Sequence, residues 1–303
     1  MKTLFFVESP LQLLNAYEAK YFFKIESYIY YIRLSGEKNN DSQILNMIEK
    51  LKLSNIKFIY LKSKNKSFSD FMKILLYKFY YLFFNVEKVF IGNFDSEFFK
   101  LIIRQFDGKK IILLDDGAKT IPIQKTFTEY NFYNLFTMYN ITPIGNQKIY
   151  KNQYKALLGK INKDSTQSNK ILFLGTKLSE IGIISEEYYI ELLKKISVYY
   201  DDKEIIYIIH RGESKKKLKI IESNKNISIK QLEYPVEFYG LYENEIPHMV
   251  SSFYSTALLT MKDIYNIEAE SFLFDYKNSE HKENIDNVYS YNKNYMKVVK
   301  LDD

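Results

Sequence analysis

Residues 109–120 read KKIILLDDGAKT: an apolar run of strand length ends in two adjacent carboxylates, Asp115 and Asp116, followed by Gly117 and small polar residues. A short apolar run bounded by turn residues is the pattern of a buried strand. Like charges this close repel, so the pair needs solvent, hydrogen-bond donors or a chemical task. An ordinary turn, with Asp116 capping a helix and Gly117 at positive φ, satisfies the pattern. So does a general base, in which one carboxylate takes a proton from an attacking hydroxyl while backbone donors hold the other. A metal site fits less well, because adjacent strand residues point to opposite sides and hard cations collect several oxygens.

Working outward, the same strand-then-helix alternation fills the first half. TLFFV precedes PLQLLNAYEAKYFF, SYIYYIRL precedes DSQILNMIEKLKL, IKFIYL precedes FSDFMKILLYKFYYLFF, and KVFIG precedes DSEFFKLIIRQF. Repetition of that unit predicts a parallel sheet. Residues 156–169, LLGKINKDSTQSNK, are polar and read as a linker between a first domain of 1–155 and a second of 170–276. The second half restarts the pattern with KILFLG, EIIYIIH, ISIKQL, HMVSSF and EAESFLF, with helices near SEEYYIELLKKISVYY and ESKKKLKIIES; residues 277–303 read as a polar tail that packs back or frays. The expected fold class is α/β: two Rossmann-like domains facing across a cleft, the architecture called GT-B.

The 303 residues, 46% of them hydrophobic, supply apolar area for two modest cores. Cysteine is absent, which excludes disulfides, thiolate catalysis and cysteine-bound zinc. The most hydrophobic window, residues 71–92, carries Lys73, Lys78, Glu87 and Lys88, so no uninterrupted apolar span crosses a bilayer there; it reads as a buried helix followed by a strand. Glu8 interrupts the first apolar run, which reads as a strand and not a signal peptide. The net charge of +6 comes from scattered lysines not interleaved with aromatics on one strip, a pattern that argues against nucleic-acid binding, and no nucleic-acid partner is expected.

In open parallel sheets ligands sit at the carboxyl ends of the strands, and the polar motifs gather there. IIHRGES places His210 and Arg211 at such an end, before a lysine-rich helix whose N-terminus, with an imidazolium donor beside it, suits a phosphate. A satisfied structural histidine is the alternative. SSFYSTAL sets Ser255 and Thr256 on a strand-to-helix turn, where hydroxyls either cap the helix or meet phosphate oxygens. FLGTKLSE puts Gly175 and Thr176 where a nucleotide needs close backbone approach. In LEYPVEFYG, Glu237 complements a short helix or accepts from ribose hydroxyls. His248 and His281 lack ligand spacing, so no metal site is expected.

In this order, SPLQLLNA, LLDDG, FLGTKLSE, HRGES, YPVE and YSTAL resemble the motifs of bacterial GT-B sialyltransferases, most closely glycosyltransferase family 52 and the related polysialyltransferases, across residues 9–258. Two positions depart from that pattern: Arg211 stands where the family's His-Pro motif has proline, and Thr256 replaces a serine. The resemblance implies an inverting, metal-independent transferase without a cofactor, which moves sialic acid from a CMP-sugar donor to a hydroxyl of a surface glycan, lipooligosaccharide or capsule. It implies Asp115 as general base, with Asp116 and Gly117 shaping its loop. His210, helped by Ser255 and Thr256, would receive the departing phosphate, with Arg211 adding a cation beside it. Glu237 would bind ribose, Gly175 and Thr176 would lie against the nucleotide, and Gln12 and Asn93 would line the acceptor and donor-sugar side. A cytoplasmic place, with peripheral association at the inner membrane face, follows from the same resemblance. The alternatives are a transferase for another CMP-linked acid sugar, such as pseudaminic acid, legionaminic acid or Kdo, and a nucleotide-binding protein of polysaccharide assembly without catalysis.

Overall fold

Strand β1 (Lys2–Val7) buries its last five residues, because helices cover a parallel sheet on both faces. The chain runs outward from it through β2 (Tyr28–Leu34) and β3 (Ile56–Tyr60), then returns to its other side for β4 (Val86–Ile91), β5 (Ile111–Leu114), β6 (Asn134–Thr137) and β7 (Ile149–Lys151). The sheet order is β3-β2-β1-β4-β5-β6-β7, and every pairing is parallel. This computed structural model describes residues 1–61, 72, 76, 85–126, 128–162, 165–201, 203–276 and 281–301. The helix expected within 68–84 lies outside them apart from Met72 and Leu76, both helical and exposed.

Two compact units result, Met1–Gly159 and Lys160–Asp303. In the first, aromatic side chains form cross-strand ladders: Phe5 stacks on Tyr30 and Phe90 at 4.9 and 4.7 Å between ring centres, and Phe6 stacks on Tyr31 at 5.1 Å. Much of the aromatic content is therefore core packing. Helix Pro10–Phe22 starts where Ser9 accepts from the Gln12 N–H at 3.4 Å and where Pro10 supplies a preset φ.

The second unit opens with β8 (Thr166–Gln167), inside the stretch read as linker, followed by β9 (Ile171–Leu174), β10 (Ile205–Ile208), β11 (Ile227–Lys230), β12 (Glu245–Ile246), β13 (Met249–Ser252), β14 (Glu268–Leu273) and β15 (Lys297–Lys300). Its main sheet is β11-β10-β9-β13-β14-β15, all parallel, and β8 pairs with β12 alone. The core gathers on Phe173, Tyr189, Tyr207, Phe253 and Phe272, under helices Glu186–Tyr199 and Lys215–Glu222. Residues 281–301, read as a tail, instead form helix Lys282–Asn292 and the edge strand β15, because Ile285, Val288 and Tyr289 recur at helical spacing on a buried face. In each main sheet the strand order reverses once, between β1 and β4 and between β9 and β13.

Candidate active site

Register fixes what meets at the carboxyl end of the first sheet. Phe6 pairs with Ile91, Ile91 with Leu113 and Leu113 with Leu135, so Glu8, Asn93, Asp115 and Thr137 stand at one level, with Met138 one residue beyond. The two acids then diverge. Asp115 is 2% exposed; its Oδ2 accepts from the Met138 N–H at 2.7 Å, its carbonyl from Asn15 Nδ2 at 3.1 Å, and its Oδ1 has no hydrogen-bond partner among the described residues. Burial pushes its carboxyl up to about 7, offset in part by Thr137, the Met138 N–H, Lys151 and Thr120. Asp116 is half-buried and holds Gln12: its Oδ1 accepts from Gln12 Nε2 at 2.7 Å, and its own N–H donates to Thr120 Oγ1 at 2.9 Å. Burial raises its carboxyl too, against the Gln12 donor and Lys119. Gly117 follows at φ 64°, the left-handed turn that the DDG pattern predicts.

Gln12 and Asn93, both expected at this end, are joined to the site by Glu8. Gln12 Oε1 accepts from the Glu8 N–H at 2.9 Å, and Asn93 donates to one Glu8 carboxylate oxygen while Arg33 donates to the other at 2.6 Å. Gln12 also crowds Gly92, where an added Cβ would lie 2.7 Å from the Gln12 Cβ. The Glu8–Arg33 pair and the buried Asn15–Asn152 contact at 3.1 Å escaped sequence reasoning. The signal for Glu8 was present, since a carboxylate directly follows an apolar run.

In the second unit, Leu174 pairs with both Ile208 and Ser252. Gly175–Thr176, His210–Arg211 and Ser255–Thr256 therefore emerge from three adjacent strands at the same end. The His210 imidazole is neutral near pH 7, not the cation expected: burial, with Arg211, Lys177 and Lys217 beside it, lowers it to about 4. Its Nδ1 accepts from the Gly212 N–H at 3.1 Å, so the ring proton sits on Nε2 as a donor.

The helix start after HRGES is already occupied. Ser214 caps helix Lys215–Glu222 by accepting from the Lys217 N–H at 3.1 Å, Ser214 N donates to Glu180 at 2.8 Å, and His210 N donates to Glu213 at 2.7 Å. These carboxylates fill the place expected for a phosphate. Helix Ala257–Tyr265 differs: Thr256 stands at its N-cap without a side-chain capping bond, and Ser255 Oγ accepts from the Ala257 N–H at 3.3 Å. Hydroxyls and a helix start meet there, the arrangement that suits an anion.

Glu237 is 5% exposed, raised by burial, and accepts from Thr260 Oγ1 at 3.0 Å. Its backbone carbonyl accepts from Tyr265 at 2.8 Å, so it is fixed to the side of the same helix. Gly175 is needed for protein packing: an added Cβ would lie 2.4 Å from Glu213 Oε2 and 2.7 Å from the Tyr207 hydroxyl. Among the described residues no three His, Asp or Glu side chains are grouped to hold a metal ion.

No protein-family model matches the chain, and no curated protein matches it. Solved structures do. UDP-GlcNAc 2-epimerase from Methanocaldococcus jannaschii matches with a TM-score of 0.57 at 15% identity, over 97% of this chain and 92% of that one. Acinetobacter baumannii MurG matches at 0.54 and 11%, over 99% and 86%. The GT-B domain of the sialyltransferase from Photobacterium damselae matches at 0.54 and 14%, over 98% of both chains. At these identities the likeness carries the fold. The chain is built of two Rossmann-like α/β units of the GT-B type.

Proposed function

We propose that this chain is a nucleotide-sugar enzyme of GT-B fold, and more narrowly an inverting glycosyltransferase that moves sialic acid or a related nonulosonic acid from a CMP-sugar to a hydroxyl of a bacterial surface glycan. The observation that carries the reading is the alignment, at one end of the second sheet, of the His210 Nε2–H, the Ser255–Thr256 helix start and Gly175–Thr176. A departing phosphate needs such preorganised donors. His210 gives it a hydrogen bond from Nε2, and the Ser255 and Thr256 hydroxyls receive its other oxygens. Thr260 holds Glu237 beside the helix, and in this reading that carboxylate accepts from ribose hydroxyls.

Burial shifts the general base from Asp115 to Asp116. Asp115 is enclosed, whereas Asp116 is half-buried and aimed by Gln12. In the proposed step Asp116 takes the acceptor hydroxyl's proton, the freed oxygen bonds to the anomeric carbon, and the bond from that carbon to the CMP phosphate breaks. One displacement inverts the configuration. Calorimetry with CMP, UDP and GDP tests the donor: CMP binding tightest supports the reading, and a panel of CMP-sugars then selects the acid sugar. The likeness to a UDP-GlcNAc 2-epimerase favours the second reading, a UDP-sugar enzyme, which UDP binding tighter than CMP would select.

A further inference from the structure

Lys217 lies in the first turn of a surface helix, yet its side chain is 0% exposed, as is that of Glu213. Its Nζ reaches four groups: the Thr176 carbonyl at 3.0 Å, Ser179 Oγ at 3.3 Å, Glu180 Oε2 at 2.9 Å and Glu213 Oε1 at 2.9 Å. It also stands 4.0 Å above the Tyr189 ring. Tyr189 in turn bonds the Thr176 N–H at 3.1 Å and the Tyr207 hydroxyl at 2.7 Å. Glu213 completes the knot: Oε1 also accepts from Tyr207, and Oε2 takes the His210 N–H.

A buried ammonium is tolerated only when its donors are paired. Here those pairs fall on two loops. One follows β9 and carries Gly175–Thr176, and the other follows β10 and carries His210. We infer that Lys217, acting with Glu213, is a positioning residue that ties these loops into one cradle for the phosphate of a nucleotide. The inference rests on the nucleotide reading given above. Lys217 touches no substrate in this arrangement; it sets where Thr176 and the His210 ring stand. The charged groups around that ring are Arg211, Lys177 and Lys217, with Glu180 opposing them, and the Glu213 carboxylate holds its backbone.

Glu213→Gln is the sharpest variant, because both Glu213 oxygens act as acceptors and a glutamine offers one acceptor and one NH₂ group. Lys217→Met/Glu213→Gln removes the ion pair while leaving no new buried charge at either position. The expected result in both is a folded protein whose CMP affinity falls at least tenfold and whose His210 ring signal, followed by NMR among three histidines, titrates at a different pH from the wild type. Folded variants with unchanged CMP affinity and an unchanged His210 titration overturn the inference. If Lys217→Met/Glu213→Gln fails to fold, Glu213→Gln alone decides. Should the wild type bind no nucleotide, the nucleotide reading fails; the His210 titration then still decides whether Lys217 and Glu213 set that ring.

Discussion

Asp115 and Asp116 are consecutive in the chain but differ in burial, and the proposed function assigns the base to the more exposed of the two. Asp116→Asn should lower kcat by about 10² to 10⁴-fold, the usual contribution of a positioned base, while Asp115→Asn should cost less. A greater loss in Asp115→Asn than in Asp116→Asn would return the base to Asp115. Asp115 has a distinct thermodynamic signature. Its pKa rises from 3.8 to about 7 on folding, so between those values the native state binds the extra proton. Stability from this group is greatest in acid and falls as pH climbs through that window. The Tm of Asp115→Asn minus that of the wild type should therefore grow from pH 4 to pH 7, as scanning calorimetry would show. His210 has the opposite sign. Its pKa falls from 6.5 to about 4, so it is already neutral at pH 5.5 and should add no inflection to kcat/KM between pH 5.5 and 7.5. His210→Gln, which keeps an N–H donor, should outperform His210→Ala if the ring only donates.

At the scale of elements, strand ends carry most of what the sequence made legible. TLFFV, KKIILLD, KILFLG and EIIYIIH are continuous apolar runs bounded by polar residues, and each is a central strand. β6, β7 and β15 went unread because they are short and flanked by Asn, Lys and Tyr, with no apolar run to separate strand from loop. The site was legible to the same degree. Acids, glycine and histidine at strand ends could be picked out, but not the partners that decide their state, since Asp115–Met138, Gln12–Asp116 and Lys217–Thr176 are contacts between segments distant in sequence. Gly175 shows the limit: the glycine was readable, whereas the Glu213 and Tyr207 atoms that require it were not. Gly175→Ala drives a methyl into that locked carboxylate and should cost about 1–3 kcal/mol in urea unfolding. Ser214→Ala, which removes a helix cap, should cost about 1 kcal/mol by the same measurement.

Across the whole molecule, the two sheets share parallel pairing and a single reversal of strand order, the arrangement that opens a ligand crevice at the reversal. Hydrogen exchange with saturating CMP should slow at residues 175–177, 210–212 and 255–258, flanking β9, β10 and β13. Protection confined to the first sheet would reject the assignment of the nucleotide to the second. No helix among the described residues is long and apolar enough to cross a membrane.

The position of β15 bears on how this chain is made. Among the described residues strand Lys297–Lys300 pairs only with β14, whose Ala269–Phe272 segment is buried. A nascent polypeptide stalled or clipped before residue 297 would carry every other strand of that sheet but leave one flank of β14 uncapped, a ready template for another molecule. Truncated products should therefore collect in inclusion bodies.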